Sequence, residues 1–461
     1  MSFLFRKMAR LVLVNAGKNY EYGVHEPLHL LVLAAYAKMH GHEVAIADQI
    51  AGEDVFKKIK ESNPDFVGIT GTTAVISEAY EIADWCKNAG FKTILGGVHV
   101  SVMPEEALKH ADYVVKGEGE DALIKIISGD AKKGIVVGRC IKNLDKLPKI
   151  NRDLINVKYY QKGKDRTPGT HLHFVPPNTR LSSILATRGC PFNCIFCHNS
   201  WRGLPVRMNS AKHIIEEMKE LKEKYGTEAI FFMDDDFLFS KSRVLEFCEL
   251  YKKEKLDIIW GCQARVTSVD KDILAELKSA NCKQITFGLE SGSQRILSML
   301  KNNLTTIDQN KNAIKLVKES GIMACGSFMI GNPGETEQEI EDTKKFILEN
   351  NLDGFGVSIT TPFPGTKLWE ICKEKGIIPY TIDWSSFNLS KLTFALSDVP
   401  QEKMEKIYNK FLNLVLEKNP GMTPKNVLKV ALRHPKKAMD RIIKNPKSIP
   451  ILLKRIFNSQ N

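Results

Sequence analysis

In the first 140 residues, short apolar runs at 9–14, 43–47, 66–70, 93–95 and 113–115 alternate with longer stretches at 28–40, 53–61, 76–89 and 104–110. In the longer stretches apolar side chains recur every three or four positions, the spacing of a helix with one buried face, whereas the short runs are apolar throughout, as in strands buried on both faces. Alternation of the two predicts five parallel strands joined by crossover helices, a doubly wound sheet. Such sheets bind ligands beyond the carboxyl ends of their strands. Here those ends carry Gly71, Thr72 and Thr73, then Gly96 and Gly97, then the segment 117–120.

From 141 to 180 the periodicity lapses and Pro148, Pro168, Pro176 and Pro177 intervene, which reads as a connector. Apolar strand patterns resume at 181–187, 229–233, 258–262, 284–288, 323–330 and 354–359. Helical patterns follow at 211–225, 242–254, 271–280, 294–300, 309–320, 335–350 and 367–375. Six strand–helix units predict a partial (β/α)6 barrel, with its chemistry at the carboxyl ends of the strands. A further amphipathic helix is expected at 401–416, and the C-terminal part is expected to close the substrate side. The expected domains are therefore 1–140, a connector at 141–180, a barrel core at 181–385 and a helical, basic region at 386–461.

The length of 461 residues and the 43% hydrophobic content fit a multidomain enzyme with more than one core. No apolar stretch approaches the roughly 20 residues that span a bilayer, and the basic start leads only into LVLV, too short for a signal peptide. The expected location is the cytoplasm, with peripheral membrane contact through the C-terminal region. The net charge of +12 concentrates there: residues 421–461 hold ten Lys and Arg against one acid, Asp440. Apolar residues interleave with these charges, a pattern of short amphipathic helices that lie on an anionic membrane or pack as a solvated basic face. Phe457 is the sole aromatic residue of that segment, which speaks against stacking on single-stranded nucleic acid.

Seven of the ten cysteines are scattered singly, but Cys190, Cys194 and Cys197 fall within TRGCPFNCIFCHNSW. Gly189, Pro191 and Asn193 make this a turn-rich loop, so three thiolates can converge on one metal centre. A four-iron four-sulfur cube takes one thiolate per iron, and three cysteines leave one iron free. Structural zinc with His198 as fourth ligand is the alternative, though it would require adjacent residues to ligate together. At the remaining strand ends stand Asp234, Asp235 and Asp236, then Gln263 and Arg265, then GLESG with Glu290 and Ser291, then GNPGE and TTPFPGT. The aspartates suit a hard divalent cation or, as helix caps, backbone amides.

The spacing C-x3-C-x2-C, with Phe196 before the last cysteine, resembles the signature of the radical S-adenosylmethionine enzymes. The resemblance implies that Cys190, Cys194 and Cys197 bind a [4Fe–4S] cluster whose free iron chelates S-adenosylmethionine, which on reduction yields a 5′-deoxyadenosyl radical. It further implies an electron donor such as ferredoxin or flavodoxin. Glu290 would bind the ribose hydroxyls of S-adenosylmethionine and Arg265 its carboxylate, with Phe196, Asp235 and Ser291 in the same cofactor site.

VGITGTT, ILGGVHVS and VVKGEGE, preceded by EPLHLLVLAAYAKMHGHEVAIAD, are similar to the cobalamin-binding domain that precedes many radical cores. By that resemblance Thr70 and Thr72 contact the nucleotide tail of cobalamin, Gly96, Gly97 and Val98 line its groove, and Glu118 approaches the corrin edge. One departure stands out. The DxHxxG motif of methionine-synthase-type domains, whose histidine ligates cobalt from below, is replaced by NAGKNY, with Asn15 and Gly17 at the aspartate and histidine positions. An open or water-bound lower face is expected, with His25 and His29 nearby as surface or helix-start residues.

Together these features predict a cobalamin-dependent radical enzyme acting on an unactivated carbon, by C-methylation of a lipid or other small apolar molecule. Ring closure, oxidation or carbon–carbon coupling on a lipid or tetrapyrrole is the alternative. A nucleic-acid-modifying methylthiotransferase is a second one, and it is disfavoured because residues 1–140 offer only Cys86 and Cys140 for another cluster.

Overall fold

Six parallel strands, β1 (Arg10–Asn15), β2 (Glu43–Asp48), β3 (Phe66–Thr70), β4 (Lys92–Gly96), β5 (Tyr113–Lys116) and β6 (Gly134–Val137), form the first sheet in the order β2-β1-β3-β4-β5-β6. The computed structural model of the chain describes residues 8–18, 25–162, 172–176, 178–198 and 203–419. The basic segment 421–461 and Trp201 lie outside them, as do Pro168 and Pro177. Helices α1 (Leu28–Met39), α2 (Val55–Ser62), α3 (Ile76–Asn88), α4 (Val98–Val102), α5 (Pro104–Ala107) and α6 (Glu120–Ile127) cover the two faces, each above its own apolar layer. The chain reverses its winding between β1 and β3, the switch point where such sheets open a crevice.

Sheet and winding match the expectation except at two places. The sixth strand, β6, was not predicted: it is a four-residue edge strand with Ile135 and Val137 turned to solvent, so no buried run marks it. Helix α4 has the sequence VHVSV, whose β-branched residues favour a strand. Burial of His99 and Val100 and the turn at Gly97 make it a helix instead.

The second sheet is β7 (Leu181–Ile184), β10 (Ala229–Phe232), β11 (Ile259–Ala264), β12 (Cys282–Glu290), β13 (Met323–Ile330) and β14 (Gly354–Ile359), all parallel and paired in chain order. It curves as a half-barrel that stays open between β7 and β14. A two-residue antiparallel pair, β8 (Thr187–Arg188) with β9 (Arg207–Met208), brackets the cysteine loop. After α7 (Val157–Gln161) in the connector, the outer layer is α8 (Ala211–Tyr225), α9 (Lys241–Lys253), α10 (Lys271–Ser279), α11 (Gln294–Lys301), α12 (Ile307–Glu319), α13 (Glu337–Glu349) and α14 (Lys367–Glu374). A Ser, Thr or Asp side chain caps each of these seven, and Thr306 and Thr336 form full capping boxes. Those caps explain why the predicted helix starts fall so close to the observed ones.

The floor of the half-barrel is plugged by connector residues: Leu172, Phe174 and Val175 pack on Leu181, Ala229 and Phe231. Helix α15 (Gln401–Lys418) packs beside β14, and the rest of the C-terminal part, expected to close the substrate side, lies outside the described residues from 420 onward. Met404, Phe411 and Val415 of the helix join the outer apolar layer, and Asn419 pairs with the backbone of Phe355 at the edge strand β14, donating at 2.7 Å and accepting at 3.0 Å. No described helix is long and apolar enough to cross a membrane.

The first sheet's helices share an apolar layer with the segment that follows the half-barrel. Leu368, Trp369, Trp384 and Phe387 from beyond the half-barrel pack with Ile76, Ala79 and Val100 of the first sheet's helices. Polar contacts bind the other side: buried Arg152 donates to Glu26 (3.2 Å), to Glu217 (2.8 Å) and to the Ser183 carbonyl (2.9 Å), joining first sheet, connector and barrel.

Candidate functional site

A cavity of ≈ 440 Å³ opens along the carboxyl ends of the first sheet. Thr70, Thr72, Gly96, Gly97, Val98 and Glu118, all six residues expected there, line it. Its inner walls are apolar, with Leu13, Ile94, Val115 and Leu123 from strands and α6 and Leu33 from α1. Gly97 has φ +108°, and a Cβ there would sit 2.7 Å from Thr70 Oγ1 and 3.4 Å from the Gly71 carbonyl. Gly119 is as tight, at 2.9 Å from Leu33 Cδ2. The glycines thus hold open a slot that any side chain would fill, which is what a bulky tail passing close to backbone requires. The slot fits cobalamin.

Glu118 differs from expectation in its side chain. Its carboxylate lies 2.7 Å from Arg207 and 3.5 Å from Arg188 and accepts from the Ile141 amide at 2.6 Å. It serves as a strut between the sheets. Arg188 also pairs with Glu120 at 2.6 Å.

Asn15 explains the missing histidine motif. Its amide donates to Asp48 Oδ1 (2.9 Å), and the Tyr160 hydroxyl donates to Asp48 Oδ2 (2.5 Å). Asn15, at the motif's aspartate position, thus ties the end of β1 to the end of β2. His25 faces the Ser183 hydroxyl at 3.4 Å. His29, at the start of α1, is exposed on the cavity wall, where reduced hydration between the walls lowers its pKa to about 4.

The same cavity reaches Leu185 and Arg188, at the foot of the cysteine loop. Cys194 is buried, Cys190 half-buried and Cys197 exposed. Loss of hydration at its sulfur, although the residue as a whole is exposed, then the charge of Asp235 and of the other two cysteines, pushes the Cys197 thiol up to about 12. Burial also raises Cys190, partly offset by the Phe192 backbone amide. Among the described residues no three His, Cys, Asp or Glu side chains crowd into the shell of one metal ion. Three thiols that feel one another's charge from separate positions suit a cube, whose irons each take one cysteine, and cationic iron would favour the thiolates that burial alone disfavours.

Two backbone bonds clamp this loop: Ile195 N donates to the Leu300 carbonyl (3.0 Å) and Leu368 N donates to the Ile195 carbonyl (2.8 Å). Two cations lie over its rings. The Arg265 guanidinium is 3.4 Å from the centroid of Phe192, and Lys301 Nζ is 5.7 Å from that of Phe196. Glu290 is buried on a bulge at the end of β12 with φ +62°, and Lys301 Nζ meets its Oε1 at 2.8 Å.

Of the aspartate triplet, Asp234 accepts from the Ala186 amide and Asp236 from Ser268 and the Leu238 amide, bonds that hold loops, while Ser240 and not an aspartate caps the helix that follows. Asp235 is exposed toward the cysteines. Ser291 is fully buried, and its hydroxyl faces Thr343 at 3.2 Å and accepts from the Ser293 amide. It shapes the loop, and its side chain does not reach the site. Sequence reasoning did not find Lys301, Phe192 or Arg188, whereas His29 sits at a helix start as expected. Only Phe192, inside the cysteine run, carried a sequence signal.

Residues 19–127 match the B12-binding domain and residues 184–347 the radical SAM superfamily. An uncharacterized methyltransferase of Pyrococcus horikoshii is 32% identical over 83% of this chain and 86% of its own. An anaerobic magnesium-protoporphyrin IX monomethyl ester cyclase of Rubrivivax gelatinosus is 28% identical over 76% of this chain and 66% of its own. The solved radical S-adenosylmethionine methyltransferase TsrM of Kitasatospora setae, with cobalamin and a [4Fe–4S] cluster bound, superposes with a TM-score of 0.66 at 19% identity, over 81% of this chain and 80% of that one. The matches run in the same order as the groove and the cysteine loop, and the chain accordingly belongs to the cobalamin-binding radical S-adenosylmethionine enzymes, whose cofactors are a [4Fe–4S] cluster, S-adenosylmethionine and cobalamin.

Proposed function

We propose that this enzyme transfers a methyl group to an unactivated carbon of a small molecule. The observation that carries the reading is the single cavity that runs from the glycine slot to the foot of the cysteine loop. When bound, the cofactors supply a carbon-centred radical and a transferable methyl group. The protein's share is to hold them at one opening. Cys190, Cys194 and Cys197 anchor the cluster; Phe196, Asp235, Arg265 and Glu290 receive S-adenosylmethionine; Thr70, Thr72, Gly96, Gly97 and Val98 receive the cobalamin tail. The methyltransferase resemblance supports this outcome.

A lipid or other apolar substrate agrees with the amphipathic sequence of 421–461. A flavodoxin or ferredoxin supplies the electron. The cyclase relative favours a second reading, ring closure on a tetrapyrrole-like substrate. Protein reconstituted with iron, sulfide and cobalamin, then offered lipid and porphyrin substrates, separates the two. Methylation yields 5′-deoxyadenosine together with S-adenosylhomocysteine. Formation of 5′-deoxyadenosine without S-adenosylhomocysteine defeats the methyl-transfer reading.

A further inference from the structure

Helix α11 ends on a lysine with no evident surface role. Lys301 is the last residue of α11 and is buried, with 8% of its surface exposed. Burying an ammonium is costly unless it is paired, and desolvation is the largest influence on this group. Its close partner is Glu290 Oε1 at 2.8 Å, a carboxylate as buried as itself. The Glu290 carboxylate at contact distance opposes that desolvation.

Three further observations place this pair at the centre of the cluster site. The Leu300 carbonyl, one residue earlier, accepts from Ile195 inside the cysteine loop. Nζ also lies over Phe196, between Cys194 and Cys197. Finally, a Cβ on Gly288 would come within 2.4 Å of Glu290 Oε1 and 3.2 Å of Lys301 Nζ, so the glycine before the bulge is space reserved for the ion pair. One helix end therefore grips the loop by its backbone and the bulge by its side chain. Glu290 has a left-handed backbone, unfavourable for a residue with a Cβ, and an outside restraint on its side chain helps to keep it there.

We infer that Lys301 is a positioning residue for S-adenosylmethionine: it aims the Glu290 carboxylate at the cofactor and locks that carboxylate in register with the cysteine loop. This rests on the reading of Glu290 as a cofactor ligand. Lys301 acts through Glu290, and a bidentate acceptor has room for both, one oxygen on the lysine and the other on a ligand hydroxyl.

The test uses enzyme reconstituted with cluster and cobalamin, with S-adenosylmethionine affinity read by equilibrium dialysis. Iron content and the cobalamin spectrum report on integrity. Lys301→Met and Glu290→Gln should each weaken S-adenosylmethionine about tenfold, the scale of one charge-assisted contact. Lys301→Arg should recover most of the loss. The double variant Glu290→Gln/Lys301→Met, which leaves no unpaired buried charge, should lose no more than the worse single one. Losses that add, or a Lys301→Met enzyme that binds like the wild type, overturn the inference. Should Lys301→Met fail to hold iron, wild-type affinity in the double variant overturns it instead. Wild-type affinity in Glu290→Gln alone, with Lys301→Met impaired, defeats the assignment of Glu290 as cofactor ligand.

Discussion

The groove of the first sheet and the mouth of the half-barrel solve opposite problems. The groove is shape: apolar walls, a slot kept open by Gly97 and Gly119, and a histidine whose pKa is lowered by its surroundings. The mouth is charge: three thiols, an exposed aspartate, a buried Lys301–Glu290 pair and Arg265 stacked on Phe192. A groove of the first kind is complete before its ligand arrives. A mouth of the second kind holds Cys190 and Cys197 as thiols whose pKa is raised, and cationic iron would favour their thiolates. The contrast teaches that the two cofactors should differ in how binding responds to mutation: steric at one end, electrostatic at the other.

The largest effect should come from the mouth. Replacing Cys190, Cys194 or Cys197 by Ala removes a ligand that no neighbour replaces, and 5′-deoxyadenosine formation should fall by at least about a thousandfold, with cobalamin binding retained. Loss of cobalamin binding as well would erase the distinction between the two regions. At the groove, Gly97→Val places a side chain against Thr70 at a positive φ. Cobalamin affinity should drop on the order of a hundredfold while the iron content stays unchanged. Titration of the variant with cobalamin, followed by absorbance, checks this.

Between the regions, Arg152→Met leaves Glu26 buried and unpaired. Unfolding should become easier by about 3–5 kcal/mol, the cost of breaking a buried pair, as read by urea denaturation. A normal midpoint would mean that the sheets are held by the shared apolar layer alone.

The mouth should also give the fold a pH dependence. Burial raises Asp234 to about 6 and Glu335 to about 7, against ordinary values of 3.8 and 4.5. Both are favoured in the protonated form when folded, so their stabilisation is whole below about pH 4 and is lost as pH rises through 6 and 7. Each contributes on the order of 3 kcal/mol at most. Asp234→Asn should therefore flatten the fall in urea midpoint between pH 4 and 7, and an unchanged slope would relocate the effect. The smallest signal belongs to the groove. Cob(II)alamin in the wild-type enzyme should show no nitrogen splitting in its paramagnetic resonance spectrum, and His29→Ala should leave it unaltered. Splitting that vanishes in the variant would make His29 a cobalt ligand.

How much of this was legible in the sequence varied with the physics of each element. The barrel strands and helices announced themselves because apolar period and capping residue agree, as at Ser210 with Ala211–Tyr225. The edge strand β6 and the β-branched helix α4 did not, since solvent exposure hides one and local propensity misstates the other. Glycine positions in the groove were readable because glycine is chosen for what cannot be there. Ser291 and Glu118 were placed near cofactors by type, and only packing showed where their side chains turn.

Residue type and spacing alone determined the two parallel sheets, the three-cysteine loop, the glycines at the first sheet's strand ends and the absence of a DxHxxG histidine, because each follows from local periodicity or from contiguous residues. Tertiary structure decided which charges meet. Lys301 and Glu290 are separated by a loop and a helix, Arg188 and Glu118 by most of a domain, and Arg152 lies far from both Glu26 and Glu217. Charged side chains carry no period in sequence, so their pairing is set only when the folded chain leaves them a single partner away from water.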